Sequence, residues 1–118
     1  MHHTTRKIGS EKERLAGEYL KKQGFQVVEY NFTAKSGEID IVAKEGEYLV
    51  FVEVKYRSSY RNGMPEETIR THKIKRITNT AQYYMLRRGI PEDTPCRFDA
   101  VVILGQEIKL IRDAFEAI

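Results

Sequence analysis

Three residues stand out by type and spacing: Asp40, Glu53 and Lys55. Glu53 and Lys55 sit two apart inside an apolar run, Leu49-Val50-Phe51-Val52-Glu53-Val54-Lys55. Strand residues two apart share a face, so carboxylate and ammonium lie side by side above Leu49 and Phe51. A buried carboxylate or ammonium needs a partner or a metal ion. An Asp and a Glu converging with a Lys suit metal-assisted phosphodiester hydrolysis. Carboxylate oxygens suit Mg²⁺, or Mn²⁺ in its place, and such an ion activates water and polarises a phosphoryl oxygen. The lysine then orients the water or stabilises the developing charge. The structural alternative is a plain ion pair at a strand end, with Asp40 capping a nearby turn.

The element that must position these groups is a hairpin over 37–57. Two β-branched runs, from Gly37 and up to Arg57, flank a polar turn with one glycine. A loop of two or four residues sets Lys44 opposite Glu47, or Ala43 opposite Tyr48. Glu38 then faces Glu53, and Asp40 faces Phe51, diagonal to Glu53 at roughly 7–8 Å. That register puts Asp40, Glu53 and Lys55 on one face. It puts Ile39, Ile41 and Ala43 on the other with Val50, Val52 and Val54. A three-residue loop would move Asp40 among the valines.

The rest of the chain frames the hairpin. Residues 1–8 read as a flexible basic arm. Ser10 with Glu13 forms a capping-box pattern, and a helix runs to Gln23 with Gly24 as its stop. Leu15, Ala16, Tyr19 and Leu20 give its apolar face, which leaves Glu18 on the solvated side with Arg14 as its i,i+4 neighbour. A strand follows over 25–31, then a turn over 33–36. The stretch 57–63 is polar and turn-rich; Arg57 and Arg61 suit phosphate contacts and Tyr56 or Tyr60 base stacking, the alternative being an ordinary surface loop. A second helix opens at Pro65 and ends near Arg88, with Ile69, Ile74, Ile77, Ala81, Tyr84 and Met85 as its buried stripe. Lys73 lies at the margin of that stripe, placed to look towards the sheet and bind substrate rather than metal. Strands over 97–104 and 108–112 and an apolar Ala114-Phe115 close the chain, with Asp99 holding Arg97 or a helix end. Helix, three strands, helix and two strands give an α/β domain with one mixed sheet flanked by helices.

Composition narrows the classes. The 118 residues carry 20 Lys and Arg against 17 Asp and Glu, a net charge of +3, which permits nucleic-acid binding without requiring it. The length fits one domain spanning 1–118. No apolar run approaches the roughly 20 residues of a membrane span. The segment from Met1 to Lys7 lacks the apolar stretch of a secretory signal. The single Cys96 forms no internal disulfide. A cytoplasmic protein is expected.

Gly37-Glu38-Ile39-Asp40 followed by Phe51-Val52-Glu53-Val54-Lys55-Tyr56-Arg57 resembles the signature of the bacterial YraN-like family, UPF0102, within the PD-(D/E)XK nuclease-like superfamily. The motif layout is similar to that of archaeal Holliday junction resolvases. The resemblance begins at Gly17-Glu18, takes in Gly24-Phe25, Asn31-Phe32 and Lys73, and ends at Arg97-Phe98-Asp99 and Ala114-Phe115. Ile39 stands where the superfamily name has Pro. The resemblance implies a restriction-endonuclease-like fold, Asp40 and Glu53 as metal ligands, Lys55 as the catalytic lysine and Glu18 as an acid contributed by the first helix. The function expected is a Mg²⁺-dependent endonuclease acting on DNA, branched or damaged structures included, with RNA open as a substrate. A homodimer is compatible with it, since a junction resolvase holds two sites together. The other class is a non-catalytic nucleic-acid-binding or adaptor domain on the same scaffold; only the enzyme needs the carboxylates.

Overall fold

The computed structural model describes residues 11–57 and 71–118. The arm at 1–8, the Ser10 cap, the helix start at Pro65 and the loop residues Tyr60 and Arg61 lie outside them. Helix α1 (Glu11–Lys22) and helix α2 (Thr71–Arg88) end alike. Phe25 N–H donates to the Leu20 carbonyl at 3.0 Å, and Ile90 N–H to that of Met85 at 2.9 Å. These six-to-one closures pass over Gly24 and Gly89, both at positive φ, as a Schellman cap requires.

Five strands make one sheet: β1 (Gln26–Ala34), β2 (Gly37–Glu45), β3 (Tyr48–Arg57), β4 (Cys96–Leu104) and β5 (Glu107–Ile111). They lie in chain order, antiparallel except for the parallel pair β3–β4. A parallel step needs a crossover, and the chain between these strands includes α2. Helix α1 covers one face, packing Ala16 and Leu20 against Ile41, Ala43, Val50 and Val52. Helix α2 covers the other, packing Ile77, Ala81 and Tyr84 against Val42, Leu49 and Phe51. Strand β3 is thus apolar on both sides, which is why its alternation is hidden in the sequence. This is an α/β fold with one mixed sheet, consistent with the restriction-endonuclease-like scaffold that the motifs imply.

Several expectations need correction. The first strand runs on to Ala34, where a turn from Thr33 was expected. Leu15 is exposed, while Gly17 is buried beside Ala16. Periodicity ranks glycine as neutral, so it misses a face built by backbone contact. A β-carbon on Gly17 would stand 2.0 Å from the Tyr30 hydroxyl oxygen, so the absent side chain is what lets α1 settle onto β1 there. In the central hairpin Glu45 faces Tyr48 and Ala43 faces Val50, two residues away from the expected pairing. The loop is only Gly46-Glu47, with Gly46 at φ +60°, a conformation that glycine adopts without strain at the first central position of a tight hairpin turn. A shift of two preserves which residues share a face. Ile39 is the exception, packing with Phe32 on the α2 side. Tyr30 and Phe32 should share a face, but Asn31 between them has φ +54° and sends them to opposite faces. Ile39, the β2 partner of Phe32, goes with it.

At the end of β3 away from Lys55, Arg97 clamps three elements. Its guanidinium donates to both Asp99 oxygens, at 2.8 and 2.7 Å, and to Glu45 on β2 at 2.6 Å. It lies over the rings of Phe25 and Tyr48. Asp99 is fully buried and also accepts the Asp113 N–H. Arg112 grips Glu45 from outside, and the hydrogen bonds of Arg112 and Arg97 bring the Glu45 pKa down to about 2. Arg97→Ala leaves Asp99 buried and uncompensated, so it is expected to cost about 3–5 kcal/mol in denaturant unfolding. Arg112→Ala, at an exposed pair, is expected to cost about 1 kcal/mol or less. Equal costs for the two would show that the buried charge is not what Arg97 serves.

Candidate active site

The site forms where the sheet splits. The β2–β3 ladder runs from Glu45↔Tyr48 to Ile41↔Val52, while β2 stays paired with β1 down to Gly37↔Ala34. Asp40 is the first residue past the split. Its Oδ2 accepts the Val54 N–H at 2.8 Å, so a side chain closes the ladder where the backbone has parted. Asp40 and Glu53 line a cleft of about 200 Å³ under α2, with Gly37, Glu38, Lys73, Arg76 and Ile77. From the other layer, α1 supplies Glu13: single carboxylate oxygens of Glu13, Glu38 and Asp40 lie within 4.8 Å of one another. The fork is therefore open to both layers.

Crowded carboxylates distort one another. Burial, then the Glu53 charge, pushes the Asp40 pKa up to about 7, against the pull of the Val54 N–H. Glu53 is itself buried, and Lys73 Nζ stands 2.5 Å from its Oε2. Burial depresses the Lys55 pKa, helped by the neighbouring Lys73 charge. Burial works against the Lys73 ammonium too, yet the hydrogen bond and charge of Glu53 outweigh it and its pKa is raised. Asp40 thus resists ionisation and Lys55, two residues along β3 from Glu53, resists protonation, a pattern of shifts that clusters at functional sites.

The placement of each expected residue follows from this frame. Asp40 and Glu53 line one cleft, and the Glu53 charge acts on Asp40, although Asp40 lies just past the end of the β2–β3 ladder. Lys55 follows Glu53 on the same face of β3. Lys73 looks inward, as its place beside the buried stripe predicts. Glu18 does not come in: it is exposed and pairs with Lys21 at 3.3 Å. Glu13 stands in the fork instead, because α1 buries the stripe Ala16, Gly17 and Leu20. Glu13 lies three and four residues before Ala16 and Gly17, hence on that face. A small-residue pair one turn after an acid was the available signal. Arg57 ends β3 and donates to the Tyr56 carbonyl at 3.1 Å, away from the carboxylates. Glu38 was seen only as a cross-strand neighbour of Glu53; the fork makes it part of the acidic group.

Comparison with known proteins agrees with this frame. The model of the family described as Uncharacterised protein family UPF0102 matches residues 12–103. The chain belongs to the UPF0102 family. A UPF0102 protein of Lachnoclostridium phytofermentans is 56% identical over 109 residues, 92% of each chain. One of Clostridium botulinum (strain 657 / Type Ba4) is 39% identical over 122 residues, 98% of this chain and 99% of the relative. The matched residues of this UPF0102 member include Glu13, Glu38, Asp40, Glu53, Lys55 and Lys73. Among the described residues no helix is long and apolar enough to cross a membrane.

The donors gathered at the fork are all carboxylate oxygens, without sulfur or imidazole, a set suited to a hard divalent ion such as Mg²⁺ or Mn²⁺. The strain at Asp40 has a measurable sign. With its folded pKa near 7 and its unfolded one near 3.8, wild-type stability falls as pH rises between those values, in the absence of divalent ions. Asp40→Asn keeps an acceptor for Val54 and removes the charge. Its stability relative to wild type is expected to climb from about pH 4 to pH 7 and level off above. A constant difference across that range, in urea unfolding with chelator present, would mean Asp40 ionises normally.

Proposed function

We propose that this chain is a divalent-ion-dependent endonuclease that hydrolyses phosphodiester bonds in DNA, in the cytoplasm, with branched or damaged structures as the first substrates to test. The observation that carries this is the fork: carboxylates crowd at Asp40 until it resists ionisation, and on the next strand Lys55, two residues from Glu53, has its own charge disfavoured by burial. A divalent cation relieves that crowding. Glu13, Glu38 and Asp40 are the residues to hold it, with Glu53 at the adjoining edge of the cleft. Such an ion supplies Lewis-acid stabilisation of a phosphoryl oxygen and acidifies water beside it.

The chain's own groups do the rest. Lys55 Nζ, with its pKa lowered by burial, is poised to take or give a proton and to stabilise charge as the phosphate is attacked. Arg76 and Lys73, on the α2 wall of the cleft, are cations for flanking phosphates. Val54 N–H and the packed valines of β3 fix Asp40 and the strand in place, so the acids meet the substrate preorganised. Helix α2 forms one side of the cleft with Lys73, Arg76 and Ile77.

The test pairs ion binding with cleavage. Asp40→Asn and Glu13→Gln are expected to abolish Mn²⁺ binding and cleavage together, while Glu18→Gln leaves both unchanged. Lys55→Ala is expected to keep Mn²⁺ binding and lower the cleavage rate by on the order of 10²–10⁴. Binding is read by calorimetry, and cleavage on single-stranded, duplex, flap and four-way-junction DNA with RNA counterparts. A wild type that neither binds an ion nor cuts any of these leaves only a scaffold that holds nucleic acid.

A further inference from the structure

We propose that the Lys73 ammonium is the resident counter-cation of Glu53, and that it is exchanged for the divalent ion, moving from the carboxylate to a substrate phosphate. The proposal rests on the nuclease reading above and adds a role that the acids alone do not require.

Three observations lead to it. First, Glu53 is only 8% exposed, so its carboxylate needs a standing partner, and Lys73 Nζ supplies one at 2.5 Å. Second, the acids whose oxygens draw together are Glu13, Glu38 and Asp40; Glu53, though it lines the same cleft, is engaged by Lys73 instead. The contact thus withholds one carboxylate from the group. Third, Lys73 is free to leave. Its side chain is 34% exposed, on the first described turn of α2, and it is a flexible four-carbon stem rather than a packed plug. Lys55, on the same strand face, feels the Glu53 charge without pairing with it, so a departing Lys73 leaves the carboxylate open for the incoming ion.

The direction of departure is set by Arg76, which lines the cleft one turn along α2. An ammonium swung off Glu53 along that wall joins a second cation, and the two suit a phosphodiester. Ion and substrate are then coupled through one side chain. The ion alone must displace an internal ammonium and binds weakly. A phosphate gives that ammonium a new partner and lets the ion bind more tightly, and linkage makes the effect reciprocal.

The experiment uses Mn²⁺ alone, with no nucleic acid, on the full chain. Lys73→Met is expected to bind Mn²⁺ roughly tenfold more tightly than wild type, because a competing charge a few ångströms away is gone. Its melting temperature without ion is expected to fall, since Glu53 loses its partner, and Mn²⁺ is expected to raise it by more than in wild type. Lys73→Arg, which keeps the charge, should bind Mn²⁺ as wild type does. A purely structural tether predicts a destabilised Lys73→Met whose Mn²⁺ affinity is unchanged or weaker. That result, with wild type binding Mn²⁺ and Asp40→Asn not, overturns the exchange and leaves the nuclease reading standing. If wild type, Lys73→Met and Lys73→Arg all fail to bind Mn²⁺, both readings fall together.

Discussion

The structure turns on like charges held close in a low-dielectric gap. Asp40 sits where β2 leaves β3, reaches the Val54 N–H with one oxygen, and has Glu53 as the charge that most raises its pKa after burial itself. Such an arrangement is costly in isolation, because a carboxylate in that position has few ways to shed its charge except by taking a proton. Local propensity does not favour it. It persists because the surrounding sheet is over-determined: β3 is covered on both faces and paired on both sides, so the fork cannot relax by sliding a strand.

The rigidity comes from the far end. Arg97 ties β4 to the β2 hairpin through Asp99 and Glu45, and it stacks on Phe25 where the chain enters β1. With the hairpin loop held there, the register of β2 against β3 is fixed residue by residue towards the split. The two ends of β3 thus carry opposite electrostatic conditions. At one, acids are fully matched by guanidinium groups and Glu45 ionises more readily than usual. At the other, burial and the neighbouring acids make Asp40 ionise less readily.

What the sequence made legible follows the same division. The hairpin, both glycine-stopped helices and the shared face of Glu53 and Lys55 are local patterns of period 2 or 3.6, and they are written into neighbouring residues. Lys73 was legible because the edge of a buried stripe points a long side chain inward. Glu13 was not, since the apolar count preferred Leu15 and Tyr19 and gave no weight to Gly17, whose contribution is closeness to Tyr30 rather than hydrophobicity. The fork was not legible either. Where a ladder splits depends on pairing across three strands, which leaves no period in the chain. Glu38 joined the group only through that split.

Charge balance is the last link between this geometry and the proposed chemistry. Glu53, Glu13 and Glu38 each make the Asp40 charge harder to hold, after burial itself. The fold moderates this repulsion by two means: a proton retained on Asp40 and Lys73 drawn hard against Glu53. Both are removable. On the reading proposed above, a divalent ion at the acids would relieve the repulsion directly, and a phosphate at Arg76 would take up the ammonium that the ion displaces.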